Sequence, residues 1–267
     1  MTSGPRPGLI AFALLIACLL GRPAAASLTA EQLAAVGVKP PPGATLPLDV
    51  PLAGLDERPT TLRSAMAGHP AVLVFADYRC TQLCSPILAV TGAALASSGL
   101  APGSDYRLIV VGFNPRATAA DARAMIGGQI GFSTPVGRAT FPLMGSQSAV
   151  ETLTRSVGYR FAYDSENDRF AHPAALLIVT PDGRLSRVLT GLAITGDDAR
   201  RALIEARSGG VADFVNRVRL LCYGLGASVG RYVGPVRIAL AAAGVVTLLV
   251  VAAGLLFLTR ASARGRA

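Results

Sequence analysis

The sequence predicts an α/β domain, a mixed sheet flanked by helices, followed by one C-terminal transmembrane helix. Three observations predict it. Short apolar runs of strand length recur at AVLVFAD (71–77), YRLIVVGF (106–113) and AALLIVT (174–180). Segments with helical spacing or helix signals alternate with them. Last, Ile238 to Thr259 is a 22-residue stretch without a charge. At ~1.5 Å per residue such a stretch reaches about 33 Å, enough to cross a hydrocarbon core.

Each element has a local reason. The run 71–77 is apolar up to its last residue, Asp77, as a strand buried on both faces should be. Ser85 to Ser98 is small and apolar and suits a helix. Thr118 to Ile126 suits a second, with Thr118 as its cap. QSAVETLTRSVG (147–158) repeats apolar residues at helical spacing. PDG (181–183) is a tight turn between 174–180 and RLSRVLTG (184–191), which makes a late hairpin. DDARRALIEARSG (197–209) opens on acids and closes on glycine, the polarity a helix prefers. A strand, a cysteine motif opening a helix, a crossover strand, then a hairpin and a closing helix is the order of a thioredoxin-like fold.

The ends and the charge set the compartment. Residues 1–26 have a short basic start at Arg6, an apolar run from Leu9 to Leu20, and Ala24-Ala25-Ala26, a secretory signal pattern. Leu15-Ile16-Ala17-Cys18 also fits a lipoprotein cleavage box; the small-residue site favours cleavage after Ala26. The expected organisation is a signal peptide (1–26), a Pro/Gly-rich N-terminal arm (27–60) and a thioredoxin-like domain (61–210). A juxtamembrane segment (211–237), the transmembrane helix (238–259) and a cytoplasmic tail (260–267) follow. Export followed by a stop-transfer helix predicts the bacterial inner membrane, a single span and a soluble domain in the periplasm. The chain carries a formal charge of +9, but Ser27 to Gly210 holds 16 basic and 15 acidic residues, net +1. No basic stripe with interleaved aromatics is present, which argues against nucleic-acid binding.

The chemistry concentrates in YRCTQLCSPIL (78–88). Cys80 follows the first strand, and Cys84 lies just inside the next helix. Positions i and i+4 share a helical face, and a helix N-terminus favours thiolate. Two soft thiolates suit Cu(I) or Zn(II). The same pair could also close a disulfide, with the loop strained or the first turn unwound, or act as a redox couple. A metal site needs a third donor. His172, in FAHPAALLIV, immediately precedes the third predicted strand, where α/β sites assemble. In thioredoxin-like folds a cis-proline usually stands before this strand, and Pro173 occupies that place. His69, before the first strand, reads as a surface residue. Cys222, ahead of the span, is the odd thiol; it reads as a shielded cysteine or as a resolving or intermolecular thiol.

These residues resemble the Sco/SenC family of copper chaperones and redox proteins, which assist assembly of the copper centre of cytochrome oxidase. The likeness covers about residues 45 to 207. It rests on a strand, Cys80-x-x-x-Cys84 with Pro86 nearby, and a single His172 before a late strand with a PDG turn. The resemblance implies Cys80, Cys84 and His172 as copper ligands. It implies a copper-receiving oxidase subunit as partner, with thiol–disulfide exchange partners as a further class. The implied role is metallochaperone rather than enzyme; the alternative is a thiol–disulfide oxidoreductase using Cys80 and Cys84 without a metal. The sequence departs from the family at Arg79 and Ser85, where a small residue and a proline are usual. A family Asp-Pro segment with a second acid reads Asn114-Pro115-Arg116-Ala117-Thr118 here, without either acid.

Overall fold

The computed structural model describes residues 28–80 and 84–210, together with 242–247, 249, 251–252 and 254. The elements in chain order are α1 (Ala30–Ala35), β1 (Gly37–Val38), β2 (Leu52–Ala53), β3 (Pro59–Thr60), α2 (Leu62–Met66) and β4 (Ala71–Ala76). Then come α3 (Cys84–Ser97), β5 (Arg107–Gly112), α4 (Ala119–Gln129), α5 (Pro135–Arg138), β6 (Thr140–Gly145) and α6 (Gln147–Ser156). The rest are β7 (Tyr159–Arg160), β8 (Ala162–Asp164), β9 (Arg169–Ala171), β10 (Ala175–Val179), β11 (Leu185–Thr190) and α7 (Gly196–Arg207).

The main sheet has seven strands in the order β11-β10-β4-β5-β6-β2-β3. β4, β5 and β6 are parallel; the other pairings are antiparallel. Alternation along β4 explains its two buried faces. Val72, Val74 and Ala76 join a cluster with Ile87, Leu88 and Leu95 of α3, Ile126 of α4 and Leu203 of α7. Leu73 and Phe75 join the opposite cluster with Leu62 of α2 and Leu153 of α6. Each of these Val, Leu, Ile and Phe side chains contributes roughly 1.5–3 kcal/mol on burial.

Capping fixes the helix starts. The Thr118 hydroxyl accepts from the Asp121 N–H, and Asp121 reaches back to the Thr118 N–H. Thr195 and Asp198 repeat this arrangement at α7. Such caps contribute about 1 kcal/mol each. Gly183, at φ +92°, makes the turn between β10 and β11.

Three readings of the sequence change. Residues 44–60, assigned to an arm, supply β2 and β3 to the sheet and Leu46, Leu48 and Leu52 to the core. Leu46 N–H donates to Gly183 O, and Arg63 N–H to Leu48 O, so this stretch is bound to the domain. The strand β6 adds to the runs legible in the sequence: Pro142 and the flanking glycine and threonine hide a run that pairs with β5. Pro173 is not cis; among the described residues every peptide bond is trans.

Among the described residues no helix is long and apolar enough to cross a membrane. The span expected at 238–259 lies largely outside them; its described positions are helical. The signal segment 1–26, the juxtamembrane segment 211–237 and the tail 260–267 also lie outside them, and with them Cys18 and Cys222.

Candidate metal centre at the sheet's end

Three chain segments meet where β4, β5 and β10 end or begin. Ala76 of β4 pairs with Gly112 of β5, and Phe113 N–H donates to Ala76 O. β10 runs antiparallel to β4 with Leu177 opposite Leu73. Continuing that register sets Pro173 across from Asp77. The topology therefore brings Cys80, Asn114 and His172 to one edge of the domain. His69 precedes β4 and lies at the opposite end of that strand.

The Cys80 side is a turn. Cys80 N–H donates to Asp77 O (3.0 Å), and Arg79 N–H donates to Asp77 Oδ1 (3.0 Å). Tyr78 anchors this turn to the sheet. Its hydroxyl donates to Val110 O (2.7 Å) and lies 3.3 Å from Leu143 O. Burial pushes the Tyr78 phenol far up in pKa, so it remains a neutral donor. The ring lies where a Cβ on residue 112 would stand, within 2.6 Å of it, so only glycine fits there. Cys80 is half-buried against the α3 side of the core. Cys84 is the first residue of α3; its side chain, and residues 81–83, lie outside the described residues.

The His172 side is buried. The imidazole is 1% exposed and meets the Phe113 ring edge-on at 5.2 Å. The Tyr159 hydroxyl donates to Pro173 O (3.0 Å) and lies 3.2 Å from His172 Nδ1. Nδ1 is also 3.3 Å from Pro173 O. A hydroxyl proton directed at Pro173 leaves the oxygen to accept, which assigns the imidazole proton to Nδ1. Nε2 then carries the lone pair that a soft metal requires. Burial pushes the imidazole below its ordinary pKa. The Pro173 carbonyl and the charges of Cys80 and Asp77 act the other way without overturning it.

The sequence missed Asp77. It is a buried carboxylate, and Asn114 Nδ2 donates to its Oδ1 at 2.9 Å. The Asn114 loop lacks the acids the resemblance led one to expect, yet a carboxylate stands beside it on the neighbouring loop. A clue was present in the sequence: an acid directly after an all-apolar strand. Phe113 also lines a cleft of about 420 Å³ with Phe161, Tyr163, Phe170 and Arg116.

Among the described residues no three His, Cys, Asp or Glu side chains gather closely enough to hold a metal ion. The described donors still suit one: a neutral imidazole with one nitrogen tied back, and a thiol that the topology brings to the same end of the sheet. The chemistry of that pair fits a soft metal such as copper.

No family profile matches the sequence, and no curated relative does. Solved structures do match. One is a protein of Aquifex aeolicus VF5 provisionally described as an electron transfer protein. It is 20% identical with TM-score 0.56, over 66% of this chain and 99% of that one. Another is BsSco, described as a member of the Sco family of cytochrome c oxidase assembly proteins. It is 20% identical with TM-score 0.51, over 64% and 97% of the two chains. A third is a SCO1/SenC family lipoprotein from Bacillus anthracis, 16% identical with TM-score 0.50, over 63% and 99%. The domain built around β4, Cys80 and His172 therefore has the thioredoxin-like fold of Sco/SenC proteins.

Proposed function

We propose that this chain is a divergent Sco/SenC-type protein that binds one copper ion through Cys80, Cys84 and His172. It delivers that copper to, or prepares the thiols of, the copper centre of a respiratory oxidase. The same reading holds it at the bacterial inner membrane by the 238–259 segment, with the domain in the periplasm. The observation that carries it is His172. A buried imidazole kept neutral, protonated at Nδ1 and held at the same end of the sheet as Cys80 is a ligand prepared in advance. A dithiol working alone has no use for it. The likeness to BsSco, described as an oxidase assembly protein, supports the same assignment. Copper would sit between a buried donor and a half-exposed thiol, so a partner's donor can displace the thiol side first.

A second reading is favoured by Cys84 opening α3. A thiol at a helix start is held toward thiolate, which suits thiol–disulfide exchange. The Cys80/Cys84 dithiol would give two electrons and two protons to a partner disulfide and itself become the disulfide. BsSco is described as containing a disulfide switch.

The test is copper titration of the reduced full-length chain in detergent. The expected result is about one copper per chain, with thiolate-to-copper absorption for Cu(II), both lost in Cys80→Ser. A reduced chain that takes up no copper eliminates the delivery reading and leaves the redox one.

A further inference from the structure

Asp77 is a buried acid at this end of the sheet that the ligand set leaves unused. The residue is 4% exposed and directly follows β4, three residues before Cys80. Oδ1 accepts the Arg79 N–H at 3.0 Å and Asn114 Nδ2 at 2.9 Å. Asn114 is fixed in turn, because its Oδ1 accepts the Arg116 N–H at 3.0 Å. The carboxylate thus joins the loop after β4 to the loop after β5. Continuing the antiparallel β4/β10 register places Asp77 across from Pro173, the neighbour of His172.

A fixed charge in this position has a definite consequence. Buried charges are screened little by water or salt. A carboxylate near a cation site attracts a doubly charged ion more than a singly charged one.

We propose that Asp77 is a positioning residue of the copper site, holding the Cys80 turn and weighting the site toward Cu(II) over Cu(I). The inference rests on the copper-binding reading above. It assigns Asp77 no bond to the metal, since among the described residues it forms no group of three candidate ligands with Cys80 and His172. It separates two jobs of one side chain. The hydrogen bonds shape the turn, and the charge sets the preference between oxidation states.

The two jobs come apart in Asp77→Asn. The amide oxygen still accepts from Arg79 and Asn114, so the turn persists while the charge disappears. Cu(I) and Cu(II) affinities of the full-length chain are measured by competition with chelators of known strength. The expected result is a fall of about tenfold in the Cu(II)-to-Cu(I) affinity ratio, equivalent to a rise of about 59 mV in a one-electron potential. The double variant Asp77→Asn/Asn114→Asp moves the carboxylate to the partner loop and should restore the wild-type ratio. A role confined to shaping the turn predicts no change in the ratio for Asp77→Asn. That result overturns the inference, as does a folded double variant that fails to recover. If Asp77→Asn does not fold, Asp77→Ser keeps an acceptor for the Arg79 N–H and faces the same two outcomes. Wild-type protein that binds no copper would instead overturn the proposed function itself.

Discussion

The two sides of the candidate site are built in opposite ways. The imidazole side is interior: His172 is enclosed by Phe113, Tyr159 and Pro173 and kept neutral by burial. The thiol side is a surface turn. Its backbone is anchored from below by Tyr78 and Asp77, while Arg79 is exposed and Cys80 half-buried. The difference separates fixing a ligand from presenting one. A donor set in the core holds its geometry whether or not copper is bound. A thiol on a braced surface turn can meet a partner.

The sharpest break in this contrast is His172→Ala. Removing the interior donor should lower copper affinity by more than about 100-fold, beyond what loss of a supporting hydrogen bond costs. Disulfide reductase activity, if the chain has it, should survive, because the dithiol is untouched. Burial also predicts a pH signature in the metal-free protein. The folded pKa lies below the ordinary 6.5, so the unfolded chain takes up the proton first as pH falls. Stability is complete above about 6.5 and declines as pH drops from there toward the depressed folded value. Denaturant midpoints at pH 7.5 and 5.5 should differ more in wild type than in His172→Ala. Equal differences would mean that His172 is not held neutral.

The thiol side breaks differently, through the sheet beneath it. Gly112→Ala would place a methyl 2.6 Å from the Tyr78 ring. That ring cannot swing aside without breaking its hydroxyl bond to Val110 O. Overpacking of this kind costs about 1–3 kcal/mol, read as a shift in the denaturation midpoint. Copper affinity should fall as well, because Tyr78 fixes the turn that carries Cys80. Unchanged stability would show that the turn does not depend on the Tyr78 anchor.

Much of this architecture is legible in the sequence, for reasons that also mark where legibility ends. β4, β5 and β10 declare themselves because each is an unbroken apolar run. α4 and α7 declare themselves through Thr118 and through the acids of their first turns. β6 does not: Thr140-Phe141-Pro142 neither alternates nor runs apolar, and the strand is recognisable only once β5 stands beside it. Leu46, Leu48 and Leu52 look like a linker because prolines separate them, yet their burial depends on tertiary partners. The ligand candidates were visible as residue types. What supports them was not, since Asp77 and Asn114 are 37 residues apart and meet only through strand pairing.

The mildest test returns to the imidazole side and asks what holds it. Tyr159→Phe keeps the ring packed on Phe75, whose centroid lies 4.8 Å away, and removes only the hydroxyl. Pro173 O then loses a donor and His172 Nδ1 a neighbour, at about 1 kcal/mol of stability. The imidazole remains enclosed, but its preference for carrying the proton on Nδ1 weakens. Copper affinity should fall about tenfold, the lower range for losing a ligand's supporting partner. The ring NMR signals of His172 in the metal-free protein should shift toward a mixture of tautomers. If affinity and tautomer both stay as in wild type, enclosure by Phe113 and the Pro173 carbonyl suffices to orient the ligand. The interior side would then owe its order to packing rather than to a directed hydrogen bond.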